Sequence, residues 1–318
     1  MPTYNGRDSL PKTLGALGRQ TFPAERYEVV VVVDGSEDGT LELLAALEPS
    51  FELRTVWQEN RGRAAAINAG LAAAHGEVVV LLDDDLEPAR TFLAEHARAH
   101  GDGRPRGVVG VVRFRLDGST PPFARYWGWR FEHFLARIGA LGPELPWSST
   151  YTGAFSARLE DLVAVGGFDE SFDGYGLEDY ELALRLSRAG VELRLCPDAV
   201  ALHGYAKSFP QAAWDARERG GSAVTFKRLH PDVDPREFEP IDAAPPSILR
   251  RFVRYVLPEV SRVLPFVPQL VVQAVETAEN HRASRLDYIY TLGLEYFFFL
   301  GRLEASRHGR PTAGRARR

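Results

Sequence analysis

Acidic side chains follow two apolar runs of the sequence, at the point where each run ends. Asp34 follows residues 28–33, and the triplet Asp83-Asp84-Asp85 follows residues 76–82. Adjacent carboxylates repel one another, and a hard divalent cation such as Mg²⁺ or Mn²⁺, which prefers oxygen ligands, offsets that repulsion. The triplet therefore indicates either a cation site or a solvated acidic turn at the start of a helix, where Asp is common. Asp34 is compatible with an ordinary turn or with a carboxylate that accepts a hydrogen bond from a nucleobase N–H.

An acidic pair and a histidine later in the chain are further candidates for a catalytic or metal-binding role. Glu178-Asp179 follows Gly174-Tyr175-Gly176, whose glycines permit positive φ angles. At a helix start, such a pair is explained either by a favourable interaction with the helix dipole or by a role as general base. His203 follows the short apolar run 199–202. By its residue type alone, a lone histidine is more often structural than a metal ligand.

The elements that must position these side chains alternate between strand and helix. Residues 28–33, 76–82 and 106–114 are apolar and rich in β-branched side chains, which is typical of strands buried on both faces. Residues 40–47 and 64–74 predict helices between the first two runs. Such βαβ units indicate an α/β fold, in which ligands bind outside the carboxyl ends of the parallel strands. We therefore expect the two acidic strand ends to face one crevice.

Composition and charge exclude several classes of protein. The 318 residues are 45% hydrophobic and 25% charged, as in an ordinary globular protein, and the single cysteine excludes an internal disulfide and a cysteine-based metal centre. Neither acidic strand end carries GxGxxG or GxxxxGK[ST], which excludes a dinucleotide fingerprint and a P-loop. From residue 242 onward 12 arginines oppose seven acidic side chains, a net charge of +5, while the preceding part carries −10. An acidic body argues against nucleic-acid binding, which needs a basic face.

The order of the motifs is more specific than any one of them. In chain order they are Pro2-Thr3-Tyr4-Asn5, Gln20-Thr21-Phe22, Asp34-Gly35-Ser36, Asn60-Arg61-Gly62, Asn68-Ala69-Gly70, Asp83-Asp84-Asp85, Gly167-Phe168-Asp169-Glu170, Glu178-Asp179 and His203. This series resembles glycosyltransferase family 2, the inverting, nucleotide-sugar-dependent enzymes of the GT-A fold, over about residues 1–210. The resemblance implies an α/β, Rossmann-like GT-A fold with a mixed, mostly parallel sheet flanked by helices and a C-terminal helical appendage. We expect a catalytic domain at residues 1–235, a helical region at 236–306 and a basic, disordered tail at 307–318.

The resemblance also implies roles for individual residues. The residues that would bind the nucleotide sugar are Pro2, Thr3, Tyr4, Asn5, Asp34, Asn68, Asp83 and Asp84. Among them, Asp34 would recognise the base. Asp83, Asp85 and His203 would hold Mn²⁺ or Mg²⁺. Asp179 would be the catalytic base, with Glu178 beside it in the catalytic pair. The sugar and acceptor site would be shaped by Trp147, Gly167, Asp169 and Glu170.

The function that the resemblance implies is metal-dependent transfer of a sugar, with inversion, from a nucleoside-diphosphate donor to a hydroxyl group. A UDP- or dTDP-sugar is the favoured donor, and a cell-surface glycan or lipid-linked molecule is the expected acceptor. The alternatives are a nucleotidyltransferase-like enzyme and a non-catalytic nucleotide-sugar-binding module on the same fold. Glu178-Asp179 and His203 argue against a nucleotidyltransferase, which has no need of them, and the complete acidic set argues against loss of catalysis. We expect a cytoplasmic protein that works at the inner face of the cytoplasmic membrane.

The two ends of the chain raise separate expectations. Members of the resembled family begin with an apolar strand that runs into Pro-Thr-Tyr-Asn, but here Met1 stands where that strand would end. We therefore expect a sheet that lacks an inner strand, because either the chain starts late or its start codon is misassigned. Residues 286–303 predict a helix rich in Tyr and Phe, followed by arginines. This helix either packs on the catalytic domain or in a homodimer interface, or lies on an anionic membrane surface.

Overall fold

The structure is a computed structural model of the chain and describes residues 1–172, 174–204, 207–239 and 246–308. Within these residues the chain divides into two compact units. The first unit comprises residues 1–115, 131–170 and 179–204, and the second comprises residues 116–130, 171–178 and those from 207 onward. Most of the predicted basic tail, residues 309–318, lies outside the described residues. The domain boundaries that we place after residues 235 and 306 stay predictions.

The first unit contains two β-sheets. The strands are β1 (Pro2–Thr3), β2 (Glu28–Asp34), β3 (Glu52–Gln58), β4 (Val78–Leu82), β5 (Leu86–Pro88), β6 (Arg106–Phe114), β7 (Ala154–Arg158) and β8 (Glu192–His203). One sheet has the order β1-β2-β3, and both of its pairs are parallel. The other has the order β4-β7-β6-β8-β5, in which β6 and β8 are parallel and the remaining pairs are antiparallel. The predicted α/β class is confirmed.

The described residues also form twelve α-helices. They are α1 (Leu10–Leu17), α2 (Thr40–Ala45), α3 (Arg63–Ala73), α4 (Phe92–Ala99), α5 (Pro122–Gly139), α6 (Leu159–Ala164), α7 (Glu178–Arg188), α8 (Phe209–Leu229), α9 (Ile248–Arg251), α10 (Leu257–Val263), α11 (Val267–Asn280) and α12 (Leu286–His308). A π-helical turn at Phe252–Val256 joins α9 to α10, so the two form one continuous helix. The predicted site residues lie in β1, at the ends of β2 and β8, within α3, at the start of α7 and in the segments that connect strands and helices.

β2 forms a strand because its sequence alternates β-branched side chains between two covered faces. Val31, Val32 and Val33 are wholly buried. β3 pairs with β2 along its full length, which places Asp34 opposite Gln58 at the carboxyl end of both strands. The three runs predicted as strands are confirmed as β2, β4 and β6, and the short apolar run 199–202 is part of the longer strand β8.

β1 spans only two residues. Pro2 lies opposite Val32, and the N–H of Val32 donates to the carbonyl oxygen of Met1 at 2.9 Å. Within the described part of the chain β1 pairs with β2 alone, and β4 pairs with β7 alone. β1 is thus one edge of the three-stranded sheet, and β4 is one edge of the five-stranded sheet.

A common hydrophobic core holds the two sheets together. Val31 and Val33 of β2 pack in one cluster with Leu82 of β4, Ala154 of β7 and Phe92 of α4. A second cluster packs α3 and α7 against the five-stranded sheet. Because these side chains are almost wholly buried, the carboxyl ends of β2 and β4 are fixed relative to each other.

In the second unit, α12 packs on α8 at very close range. A Cβ at Gly220 would overlap the carbonyl oxygen of Phe298, and one at Gly301 would overlap that of Arg217, so the contact requires glycine at both positions. Tyr296 of α12 is only 1% exposed. For the aromatic helix, this burial favours packing within the protein over contact with a membrane. No helix in the described part of the chain has the length and apolar character needed to cross a membrane.

Candidate active site

The turns that follow β1 and β2 are tied to each other by side-chain hydrogen bonds. The N–H of Asn5 donates to Ser36 Oγ at 2.9 Å, and Asn5 Oδ1 accepts from the N–H of Glu37 at 3.1 Å. The N–H of Gly6 donates to Thr40 Oγ1 at 3.1 Å. Asn5 has a φ of 53°, which asparagine tolerates better than most residues. It thus holds two predicted nucleotide-binding segments side by side.

Asp34 lies buried at the carboxyl end of β2 and organises the loop that leads into α3. Its Oδ1 accepts from Gln58 Nε2 at 2.7 Å and from the N–H of Arg61 at 2.9 Å. Its Oδ2 accepts from the N–H of Gly62 at 2.9 Å. A carboxylate has about four acceptor positions, so Oδ2 retains one for a further donor.

Asp83 and Asp84 at the end of β4 have different partners. Arg63 Nη2, at the start of α3, lies 2.6 Å from Asp83 Oδ1. Thr3 Oγ1, at the end of β1, donates to Asp84 Oδ2 at 2.5 Å. Burial raises the pKa of Asp84 to about 6, and the charges of Asp85 and Asp83 add to this rise, although the Thr3 hydrogen bond opposes it. Asp84 is therefore the most enclosed of the three carboxylates and ties β4 to β1.

Asp85 pairs with His203 across the five-stranded sheet. His203 Nε2 lies 3.3 Å from Asp85 Oδ2, and its ring stacks on Phe114 with 4.9 Å between ring centroids. The strands explain the contact, because His203 ends β8 opposite Leu86 of β5, the residue that follows Asp85. Burial alone would raise the pKa of Asp85, but the hydrogen bond and charge of His203 hold it below its usual value.

Asp85 and His203 fit a divalent cation as a pair of ligands. Their O···N distance of 3.3 Å is close to the edge of about 3 Å in an octahedron whose bonds are about 2.1 Å long. Among the described residues, no three or more His, Cys, Asp and Glu side chains gather into a complete metal cage. A cation here would thus complete its shell with phosphate oxygens and water, as Mg²⁺ commonly does. Asp83, the other predicted ligand, instead faces Arg63.

The loop that contains Gly167 and Glu170 is clamped to α3. Asn68 Nδ2 donates to the carbonyl oxygen of Phe168 at 2.9 Å and to Glu170 Oε1 at 3.0 Å, while Asn68 Oδ1 accepts from the N–H of Phe168 at 2.8 Å. Arg61 Nη2 lies 2.8 Å from Glu170 Oε2. Gly167 has a φ of 70°, and a Cβ there would lie 2.6 Å from Asn68 Oδ1. The polar atoms of Asn68 therefore position the loop, and the donor contact that we expect of this residue stays a prediction.

α7 begins at the predicted catalytic pair. Glu178 is 6% exposed, and Asp179 Oδ1 accepts from the N–H of Tyr180 at 2.8 Å. The Tyr180 ring meets Trp147 edge-on, with 6.2 Å between ring centroids. Leu177, directly before the pair, has a φ of 71°, which is uncommon for a residue with a side chain and marks a constrained approach to the helix. The predicted base and the predicted acceptor-site tryptophan thus belong to neighbouring segments of the first unit.

The start of α3 connects four of the predicted residues of the first unit, namely Asp34, Asn68, Asp83 and Glu170. Through hydrogen bonds and ion pairs it joins the set Asp34, Arg61, Arg63, Asn68, Asp83 and Glu170. Pro2 and Tyr4 lie within and directly after β1, and Asp169 lies half-buried in the clamped loop. Sequence reasoning did not single out Arg63, although a basic residue directly after Asn60-Arg61-Gly62 at a helix start was a signal for an anion site.

Comparison with known proteins gives this arrangement a family context. The model of "Glycosyl transferase family 2" matches residues 1–163, and that of "N-terminal domain of galactosyltransferase" matches residues 132–208. The chain is 29% identical to the uncharacterized glycosyltransferase YfnE of Bacillus subtilis, over 64% of this chain and 63% of that protein. It is 32% identical to validoxylamine A glucosyltransferase of Streptomyces hygroscopicus subsp. jinggangensis, over 75% of this chain and 62% of that protein. The chain therefore spans less than two thirds of the length of these curated relatives.

Solved structures share the fold. The mannosyltransferase PcManGT from Pyrobaculum calidifontis, in complex with GDP-Man and Mn²⁺, superposes with a TM-score of 0.63 at 23% identity, over 96% of this chain and 85% of that one. S. aureus TarS 1-349 superposes with a TM-score of 0.54 at 19% identity, over 97% of this chain and 90% of that one. The predicted GT-A fold is confirmed by these neighbours. Because its family model covers half of the chain, and the acidic strand ends lie where that fold places its ligands, the chain belongs to glycosyl transferase family 2.

Proposed function

We propose that this chain transfers a sugar from a nucleoside-diphosphate donor to an acceptor hydroxyl group with inversion of configuration. The observation that carries the proposal is the edge formed by the ends of β2 and β4, where Asp34, Arg63 and the Asp85–His203 pair are fixed around the start of α3. Relatives named as glycosyltransferases support sugar transfer. Solved structures of the same fold in complex with GDP-Man and Mn²⁺ and with UDP-GlcNAc support a nucleotide-sugar donor.

Donor recognition is assigned to the ends of β1 and β2. The remaining acceptor position on Asp34 Oδ2 suits the N3–H of uracil or thymine, which favours a UDP- or dTDP-sugar. Pro2, Thr3, Tyr4 and Asn5 would form the wall beside it. Their backbone is already held in place by the bonds from Thr3 to Asp84 and from Asn5 to the turn after β2.

The diphosphate is assigned to the end of β4. Mn²⁺ or Mg²⁺ held by Asp85 and His203, with Asp83 and Asp84 alongside, would offset the charge that grows on the leaving diphosphate. Arg63 supports the same step from the protein side, because its guanidinium already faces this cluster at 2.6 Å from Asp83. A preorganised cation at this position stabilises developing negative charge without further rearrangement.

The acceptor is assigned to the segments around Asp179. Asp179 takes the proton of the acceptor hydroxyl as its oxygen attacks the anomeric carbon, and the bond from that carbon to the diphosphate oxygen breaks. Attack from the face opposite the diphosphate inverts the anomeric configuration. Trp147 offers an aromatic surface for a sugar ring, and the clamped loop with Gly167, Asp169 and Glu170 would border the same space. Glu178, buried at the start of α7, would accompany the base.

The acceptor class that we propose is a cell-surface glycan or a lipid-linked molecule, used at the cytoplasmic face of the membrane. A panel of nucleotide sugars incubated with the full chain, with and without Mn²⁺ or Mg²⁺, tests the donor and the metal together. We expect hydrolysis or transfer from a uridine or thymidine sugar that stops in excess chelator and yields the inverted anomer by NMR. Full turnover in excess chelator would remove the metal role of Asp85 and His203, and a retained configuration would contradict the mechanism.

A further inference from the structure

One continuous helix consists of α9, the π-helical turn and α10. This helix exposes large apolar side chains to solvent. Ile248 is 88% exposed, Phe252 45%, Tyr255 56% and Val263 78%. Spacings of three, four and eight residues place these side chains along one side of a helix. Single exposed apolar residues are ordinary, but a row of them on one helix face is not.

The opposite side of the same helix is packed into the second unit and carries both apolar and polar side chains. Val253 lies in the core cluster of this unit, and Leu257 and Val260 pack against that cluster. Arg254 is 2% exposed and donates to both carboxylate oxygens of Glu295 on α12 at 3.0 Å. Ser261 Oγ lies 2.7 Å from Tyr296 Oη, also on α12. An ordinary surface helix buries its apolar face and exposes its polar one. This helix has apolar side chains on both sides, so its exposed apolar face is available to a partner that is itself apolar.

The charges around this face are mostly positive. Residues 246–270 contain four arginines, of which Arg254 is buried on the opposite side and Arg250 pairs with Glu295 on α12. Arg251 and Arg262 remain, against one acidic residue, Glu259. Glu259 is flanked by two guanidinium groups, from Arg262 at 2.7 Å and from Arg307 at 3.0 Å. Arg251 lies exposed beside the apolar row. The face therefore combines apolar and aromatic side chains with a basic border.

We propose that this outer stripe lies on an anionic lipid surface. The outer stripe consists of Ile248, Phe252, Tyr255, Val256, Val263 and Phe266, each of them exposed. Apolar and aromatic side chains with flanking arginines are the combination that binds the interface of an anionic bilayer. The proposal goes beyond sugar transfer and moves the expected membrane contact from α12 to α9 and α10, because the aromatic side chains of α12 other than Tyr288 are buried.

A second copy of the chain is a poorer occupant of this face. A two-fold interface places the same patch of both copies together, so the basic border would face itself. An anionic bilayer instead supplies the complementary charge. The arginines that follow residue 308 lie outside the described residues, and the test leaves them in place so that the stripe is examined by itself.

The test measures binding of the full chain to vesicles. The variant Ile248→Ser/Phe252→Ser/Val263→Ser removes apolar surface that is already exposed, so we expect the fold to be kept, as circular dichroism would report. The matched control, Leu141→Ser/Val163→Ser, changes two apolar residues of the first unit that are 58% and 62% exposed. Each protein is sedimented with vesicles of phosphatidylglycerol and phosphatidylcholine, and with phosphatidylcholine alone.

We expect the unchanged chain and the control to bind the phosphatidylglycerol vesicles equally, and the stripe variant to bind about tenfold more weakly. Arg251→Gln and added salt should weaken binding of the unchanged chain as well. Equal binding by the stripe variant would overturn the proposal, because the basic tail would then suffice. The proposal would also be overturned if the unchanged chain did not bind vesicles but formed a dimer that the stripe variant did not form. Sugar transfer is not needed for this readout, so a failed proposal here leaves the proposed function intact.

Discussion

At the scale of single residues, the three carboxylates after β4 have three different environments. Asp83 faces Arg63, Asp84 is enclosed and bonded to Thr3, and Asp85 faces His203. The sequence alone predicted that such a triplet needs a cation or solvent. Which partner each carboxylate has could not be predicted, because Arg63 and His203 reach the triplet only through the folding of α3 and β8.

Arg63→Gln tests the proposed role of this guanidinium towards the donor diphosphate. A charged hydrogen bond is worth about 1.5–3 kcal/mol, so we expect the donor KM to rise about tenfold or more. Arg90→Gln, an exposed arginine, is the control and should leave the donor KM unchanged. Because Arg63 is itself about one third exposed, the melting temperature should change little. Unchanged donor kinetics in Arg63→Gln would remove this residue from the diphosphate site.

At the scale of elements, α3 acts as the connector between the strand ends and the loop that contains Gly167. The family resemblance assigned Gly167, Asp169 and Glu170 of that loop to the sugar and acceptor site. Its clamp depends on Asn68, about 100 residues earlier, whose three hydrogen bonds to the loop are visible only in the structure. The resemblance assigned Asn68 a role, but the nature of that role follows from these contacts.

The variants Gly167→Ala and Gly166→Ala together test the contact between Asn68 and the loop that contains Gly167. Both glycines have positive φ angles, of 70° and 85°, so alanine costs about 1–2 kcal/mol of backbone strain at either position. A Cβ at Gly167 also meets Asn68 Oδ1, whereas one at Gly166 meets nothing within 4 Å. We therefore expect Gly167→Ala to lose about 1–3 kcal/mol more stability and most of the acceptor turnover. Equal melting temperatures and rates for the two variants would contradict the clamp.

A buried histidine pair beneath the sheet predicts a pH dependence of stability. His96 of α4 and His100 share the hydroxyl of Ser156 on β7, at 2.7 Å and 2.9 Å. Burial lowers the pKa of His96 to about 3 and that of His100 to about 4, so both are neutral in the folded protein at pH 5. Between about pH 6.5 and pH 4 the unfolded chain binds more protons, and stability therefore falls as the pH is lowered.

Denaturant unfolding at a series of pH values measures this dependence. The free energy of unfolding should decline from pH 7 to pH 4.5, and the slope should become shallower in His100→Gln. His281→Gln, at an exposed position, is the control and should keep the slope of the unchanged chain. An unchanged slope in His100→Gln would show that the pair is not the source.

At the scale of the whole molecule, the sequence predicted the parts that local pattern controls. The Val-rich run of β2, the helices α2 and α3 and the acidic strand ends are all recognisable from residue type and spacing. The outer stripe was not predicted, because a proline such as Pro258 ordinarily interrupts a helix. In the structure Pro258 occupies the first turn of α10 after a π-helical turn, where proline is tolerated. The helix therefore continues from Ile248 to Val263 and lines up side chains that the sequence appeared to separate.

The uneven charge of the chain also takes on a structural meaning. Part of the −10 before residue 242 belongs to the carboxylates that we propose to hold the cation, base and acceptor. Part of the +5 after it borders the outer stripe. The negative charges thus belong to the proposed contact with a nucleotide sugar and cation, and the positive charges belong to the proposed contact with lipid.

Asp179→Asn tests the central claim most directly, because it keeps the shape of the side chain and removes its basicity. The measurement pairs the rate of sugar transfer with donor affinity by calorimetry, and Asp198→Asn, whose side chain is 71% exposed, is the control. The account predicts a loss of about 10²–10⁴-fold in the rate with donor affinity unchanged, and normal values for the control. Transfer at the normal rate by Asp179→Asn, or loss of donor binding in that variant, would contradict the assignment of Asp179 as the catalytic base.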